Sequence, residues 1–60
     1  MKKYSVFVLF KNGRPVEIET DTNLKMVMPV EINGGKFLIT EDQIVLNADQ
    51  IDIINIYENN

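Results

Sequence analysis

Two Asn-Gly dipeptides constrain the fold of this chain more than any other feature. Asn12-Gly13 and Asn33-Gly34 each stand between segments rich in β-branched and aromatic residues. Asn-Gly is the preferred pair for a two-residue type I′ turn, because both turn positions require a positive φ that Asn and Gly adopt readily. The sequence therefore predicts two antiparallel β-hairpins.

The first hairpin joins a strand over residues 4–11 to a strand over residues 14–20. A two-residue loop sets Phe7 opposite Ile18 and turns both side chains to the same face. Successive side chains of a strand point to opposite faces. The other face of the first strand then carries four residues, which we call the first-strand stripe: Tyr4, Val6, Val8 and Phe10.

The first-strand stripe is the candidate partner or homodimer interface, because Glu17 and Glu19 share its face in this register. A chain of 60 residues has little else with which to cover an apolar stripe, and exposed apolar surface marks interaction sites. The alternative is that the C-terminal strand or sheet curvature covers the stripe within one chain. Pairing of two chains through the strand edges at 4–10 or 51–57 is a second dimer geometry.

Apolar residues occupy every second position from residue 24 to residue 32, which is the pattern of a long strand with one buried face. Pro29 places this strand at a sheet edge, a bulge or a bend, since proline donates no backbone hydrogen bond. Looping at residues 33–34 sets Glu31 opposite Lys36, and looping at Gly34-Gly35 is the alternative. Either loop keeps Phe37 and Ile39 facing inward. The side chains expected to face inward are Leu24, Met26, Met28, Val30, Ile32, Phe37 and Ile39.

The C-terminal third predicts a tight turn, a short strand at about 43–47, a turn or single 3₁₀ turn at 47–50 and a final strand at 51–58. Isoleucines in the final strand break simple alternation, which indicates a bulge or a late start. We therefore expect residues 1–60 to form a single small all-β domain. Its architecture is an antiparallel meander of five or six strands, either an SH3-like barrel or a curled sheet.

The composition excludes most catalytic chemistry. The chain has no His, Cys or Trp, so it lacks the usual general base at neutral pH, the thiol nucleophile and the soft metal ligands. We expect no enzymatic activity, no cofactor and no metal site. A chain this small buries only about 60% of its unfolded surface, so association with a partner is an expected source of stability.

Charge is unevenly distributed in a chain whose net charge is −3. The acids near the C-terminus form a candidate docking surface for a basic protein: Glu41, Asp42, Asp49, Asp52 and Glu58. The bases near the N-terminus are candidate nucleic-acid contacts: Lys2, Lys3, Lys11 and Arg14. Because nucleic-acid binders are usually basic overall, the protein-docking hypothesis ranks above the nucleic-acid one.

The sequence thus favours a non-catalytic accessory or inhibitory module that binds another protein. The longest uninterrupted apolar-rich run, Tyr4–Phe10, is too short to span a bilayer and no cleavage site follows it, so we expect a cytoplasmic protein with no membrane partner. High Lys, Asn and Ile with little Ala is typical of A+T-rich coding. This bias favours a low-G+C bacterium, or a phage, plasmid or other mobile element of one, as the source.

Overall fold

Residues 2–59 are described by the computed structural model and contain six β-strands and two 3₁₀ turns. The strands are β1 Tyr4–Phe10, β2 Pro15–Thr20, β3 Val30–Ile32, β4 Gly35–Ile39, β5 Val45–Asn47 and β6 Ile51–Glu58. The 3₁₀ turns are Leu24–Met26 and Ala48–Gln50. Every strand pair is antiparallel, which confirms the all-β class and the prediction of five or six strands.

The strands form two separate three-stranded sheets. Sheet 1 has the order β2-β1-β6 and sheet 2 has the order β3-β4-β5. The prediction of an SH3-like barrel is wrong, because the sheets do not join into a closed barrel. The shortest dimension of the molecule is 15 Å, which leaves room for two layers spaced by about 10 Å.

The core between the layers is small. Within residues 2–59 the buried apolar side chains are Val6 and Val8 of β1, Leu46 of β5 and Leu24 of the first 3₁₀ turn. Half-buried side chains pack around them: Phe10, Ile18, Val27, Leu38, Ile44, Ile51, Ile54 and Ile56. Both sheets therefore contribute one face to the core and leave the other face outside.

The first hairpin has a three-residue loop, so its predicted register is wrong. The Phe10 N–H donates to the Arg14 carbonyl at 3.0 Å, and the Gly13 N–H donates to the Phe10 carbonyl at 2.9 Å. Gly13 takes the left-handed conformation, with φ of 86°, that this loop requires at its last position. Val6 consequently lies opposite Ile18. A shift of one residue moves every side chain of β1 to the other face.

The second Asn-Gly forms the predicted two-residue turn, since Asn33 and Gly34 both have positive φ, 50° and 84°. The predicted pairing of Glu31 with Lys36 is confirmed. The inward orientation of Ile39 is wrong, because β4 turns Leu38 toward the core and leaves Ile39 exposed.

The long strand predicted over residues 24–33 is also wrong. The side chain of Asn23 accepts the Lys25 N–H at 3.1 Å and starts the first 3₁₀ turn, so the alternating pattern begins outside any sheet. β3 begins only after Pro29 and is an edge strand, as a proline there requires. Of the five alternating apolar residues only Leu24 is buried.

The C-terminal third matches its prediction. The short strand, the 3₁₀ turn and the final strand all form where they are expected, and the Asn47 side chain accepts the Asp49 N–H at 3.1 Å at the start of the turn. The predicted bulge is present, because Phe10 pairs with Ile51 whereas Leu9 pairs with Ile53.

Candidate interaction surfaces

The first-strand stripe is not a surface in this fold. Val6 and Val8 are fully buried, at 0% exposure, and Tyr4 and Phe10 are half-buried. The expectation that the stripe is exposed is therefore wrong for its two central residues, because the one-residue shift of the hairpin turns them toward sheet 2. The C-terminal strand β6 helps to cover them, with Ile54 opposite Val8 and Ile56 opposite Val6.

The outer face of sheet 1 combines apolar side chains with carboxylates. We call it the acidic–apolar face, and it carries Ser5, Phe7, Leu9, Pro15, Glu17, Glu19, Ile53, Asn55 and Tyr57. Ile53 and Tyr57 are 48% and 59% exposed, and both glutamates are exposed. An apolar strand beside an acidic one was expected from the sequence, but Phe7 and Leu9 supply the apolar side chains.

The charged residues on the acidic–apolar face are two carboxylates, Glu17 and Glu19. The three strands of sheet 1 contain no Lys or Arg. Glu17 and Glu19 lie on β2, which is an edge strand, so their carboxylates stand at the rim of the apolar side chains of β1. A partner that covers this face meets apolar surface in the middle and negative charge along one side.

The outer face of sheet 2 is apolar and uncharged. We call it the neutral apolar face, and its apolar side chains are Val30, Ile32, Phe37, Ile39 and Val45. Ile32 and Val45 are 46% and 56% exposed. The charged residues of these strands, Glu31 and Lys36, pair on the opposite face of sheet 2. Sequence analysis missed this surface because it placed four of these residues, Val30, Ile32, Phe37 and Ile39, in the core.

The five acids of the predicted docking surface do not lie together. Asp49 accepts the Lys36 backbone N–H at 3.1 Å in the second 3₁₀ turn. Asp52 and Glu58 stand near opposite ends of β6, about 20 Å apart at 3.3 Å per residue. Glu41 and Asp42 belong to the turn between β4 and β5, where Asp42 is bonded inside the molecule.

Asp42 holds this turn against the end of β2. Its Oδ1 accepts hydrogen bonds from the hydroxyls of Thr40 at 2.6 Å and Thr20 at 2.7 Å, and its Oδ2 lies 3.3 Å from Lys2 Nζ. The hydroxyl donors, Thr40 first, hold the pKa of the Asp42 carboxyl well below its usual range. Gln43 in the same turn has φ of 66°, a conformation that costs a non-glycine residue roughly 1–2 kcal/mol. Asp42 is thus a structural residue.

Acid will weaken the fold through Asp42. Because the pKa of this carboxyl is lower in the folded chain than in the unfolded one, its contribution is fully present above about pH 4 and is lost as the pH falls further. Asp42→Asn should therefore lower the urea midpoint at pH 6 and should change it less at pH 2.5. The exposed neighbour Glu41 supplies the control variant Glu41→Gln. An equal effect of Asp42→Asn at both pH values would contradict this role.

The four candidate nucleic-acid contacts are divided between the two ends of β1. Lys2 and Lys3 precede the strand, whereas Lys11 and Arg14 belong to the hairpin loop about 23 Å away. Lys2 Nζ is also paired with Asp21 at 3.7 Å and with Asp42. A nucleic-acid backbone would meet these cations as two separated sites.

The chain therefore offers two outer sheet faces with different chemistry, one acidic and apolar, one neutral and apolar. Within residues 2–59 there is no helix long and apolar enough to cross a membrane. Comparison with known proteins matches the sequence to no protein-family model and to no curated protein, and matches the fold to no solved structure.

Proposed function

We propose that this protein is a non-catalytic module that binds another protein through the acidic–apolar face. The observation that carries the proposal is the composition of that face: exposed Ile53 and Tyr57 beside Phe7 and Leu9, with two carboxylates at the rim and no base in the three strands. Such a surface fits a partner segment that presents apolar side chains together with Lys or Arg.

The apolar side chains and the two glutamates of the face contribute differently to binding. The apolar side chains provide affinity, and Tyr57 is of the type most often found at energetic centres of interfaces. Glu17 and Glu19 steer a basic partner toward the face and select against acidic ones. A module of this kind acts as an accessory or inhibitory protein by covering a basic surface of its partner. A chain without Cys also suits the reducing cytoplasm.

A peptide selection tests this proposal with defined probes. We expect a random peptide library, selected on the full chain, to yield peptides that combine apolar residues with Lys or Arg. Ile53→Glu should weaken the selected peptides by at least about 10-fold, because it places a charge among the apolar contacts. Glu17→Gln with Glu19→Gln should weaken them by roughly 3- to 10-fold and reduce the dependence on salt.

The matched control is Ile32→Glu, which makes the same change on the neutral apolar face at 46% exposure against 48% for Ile53. It should leave peptide affinity unchanged. Selected peptides with no basic residues, or equal losses from Ile32→Glu and Ile53→Glu, would contradict the proposal. So would tight binding to nucleic acid that is lost on replacing Lys11 and Arg14 by Gln.

A further inference from the structure

The neutral apolar face is the sheet surface on which two copies of this chain can meet without electrostatic cost. Each copy carries a net charge of −3, so most pairings of like surfaces bring negative charges together. Along β3, β4 and β5 the outward side chains are uncharged. Packing two copies through their acidic–apolar faces would instead bring the negative charges of Glu17 and Glu19 from both copies into one contact.

The chain exposes more surface than a folded monomer of its mass normally does. Its accessible surface is 4424 Å². A folded monomer of 6.9 kDa is expected to expose about 4000 Å². The excess is accompanied by a core of only four buried apolar side chains within residues 2–59. Association that covers one sheet face would bury this excess exposed surface.

The exposed apolar area is sufficient for a small specific interface. Four apolar side chains of the neutral apolar face are more than a third exposed: Val30, Ile32, Ile39 and Val45. Met26, in the first 3₁₀ turn, and Met28, between that turn and β3, are 78% and 82% exposed. Together the six present on the order of 500 Å², the area that each partner loses in the smaller specific complexes. The flexible methionine side chains can adapt to a partner surface.

We infer that two copies of this chain form a symmetric dimer by packing their neutral apolar faces against each other. In a two-fold dimer the same patch serves both subunits, so an uncharged and apolar patch is complementary to itself. The two copies of sheet 2 then stack at about 10 Å and leave both acidic–apolar faces outside. The dimer is independent of the proposed partner binding, which uses the opposite side of the chain.

Sedimentation equilibrium of the full chain over a concentration series tests the dimer. The wild-type mass should rise from 6.9 kDa toward twice that value between roughly 1 μM and 1 mM, the range of small interfaces. Ile32→Glu places one charge from each copy in the contact and should weaken dimerisation by at least about 100-fold. Ile53→Glu, the same change on the other face, should leave the dissociation constant unchanged.

Val45→Glu provides a second variant on a different strand of the same face, so a folding defect in Ile32→Glu would not leave the question open. Circular dichroism checks whether each variant retains its strands. A wild-type chain that stays monomeric up to 1 mM would overturn the inference, and so would a dimer that Ile53→Glu disrupts and Val45→Glu does not. Peptide binding to the acidic–apolar face is measured separately, so neither result contradicts the proposed function.

Discussion

Replacing Val8 by Asp will unfold the chain, whereas the same replacement at Val45 will leave it folded. Val8 is fully buried and pairs with Val16 and Ile54, so an aspartate there has no partner for its carboxyl. The expected cost is at least about 4 kcal/mol, against roughly 3–9 kcal/mol of total stability for a chain of this length. Val45 is 56% exposed and its aspartate stays in water. Circular dichroism and urea titration distinguish the two variants.

This pair of variants also decides between the two registers of the first hairpin. With a two-residue loop, Val8 would face outward and Val8→Asp would remain folded while losing association. With the three-residue loop of the structure, Val8→Asp is unfolded at every concentration. A Val8→Asp chain that is as stable as Val45→Asp would show that the three-residue loop and its register are incorrect.

Leu46→Ala will lower the free energy of unfolding by about 3 kcal/mol, the second-largest effect we expect. Leu46 is the buried residue that β5 contributes to the core, and its truncation leaves a cavity that neighbouring side chains fill only in part. Val45→Ala, one residue earlier on the outer face, should change stability by less than about 0.5 kcal/mol below the concentration at which chains associate. Urea denaturation at low micromolar concentration measures both.

The comparison is informative because the two residues are adjacent on one short strand. Since side chains alternate along a strand, only one of two neighbours can face the core. If Val45→Ala proves as destabilising as Leu46→Ala, sheet 2 packs through both faces and its outer face is not free. In that case the neutral apolar face would already be covered within the chain.

Local turn chemistry determined where sequence prediction succeeded. Asn33-Gly34 predicted the second hairpin, and of the two loops open to it, 33–34 and 34–35, the structure has the first, which pairs Glu31 with Lys36. The bulge in β6 was predictable because four isoleucines cannot all face inward at a spacing of 51, 53, 54 and 56. The side chain of Asn47 marked the 3₁₀ turn that follows it.

The register of the first hairpin was predicted wrongly because Asn-Gly occurs in two kinds of loop. Asn12-Gly13 fits a two-residue turn, and it equally fits a three-residue loop with glycine at the left-handed position. Hydrophobic alternation normally resolves this ambiguity, but β1 is apolar on both faces apart from Ser5. The candidate site moved with the register, from Val6 and Val8 to Phe7 and Leu9.

The long strand over residues 24–33 was predicted wrongly for a related reason. Leu24, Met26 and Met28 have the spacing of a strand, yet a 3₁₀ turn begins at Leu24 because the Asn23 side chain bonds the Lys25 N–H. Asn23 and Asn47 start their turns in the same way. At Asn23 the alternation of apolar residues predicted a strand instead of a 3₁₀ turn. Val30 and Ile32 of the neutral apolar face were consequently predicted to lie in the core.

We propose that the two outer faces bind different partners, a second copy of the chain at sheet 2 and an apolar–basic protein at sheet 1, and NMR of the ¹⁵N-labelled full chain tests this most directly. Dilution should shift amide signals of β3, β4 and β5, and a selected apolar–basic peptide should shift those of β1, β2 and β6. Separate sets of shifted residues are the predicted result. If dilution and peptide shift the same strands, or if the peptide shifts only sheet 2, the assignment of the two faces is contradicted.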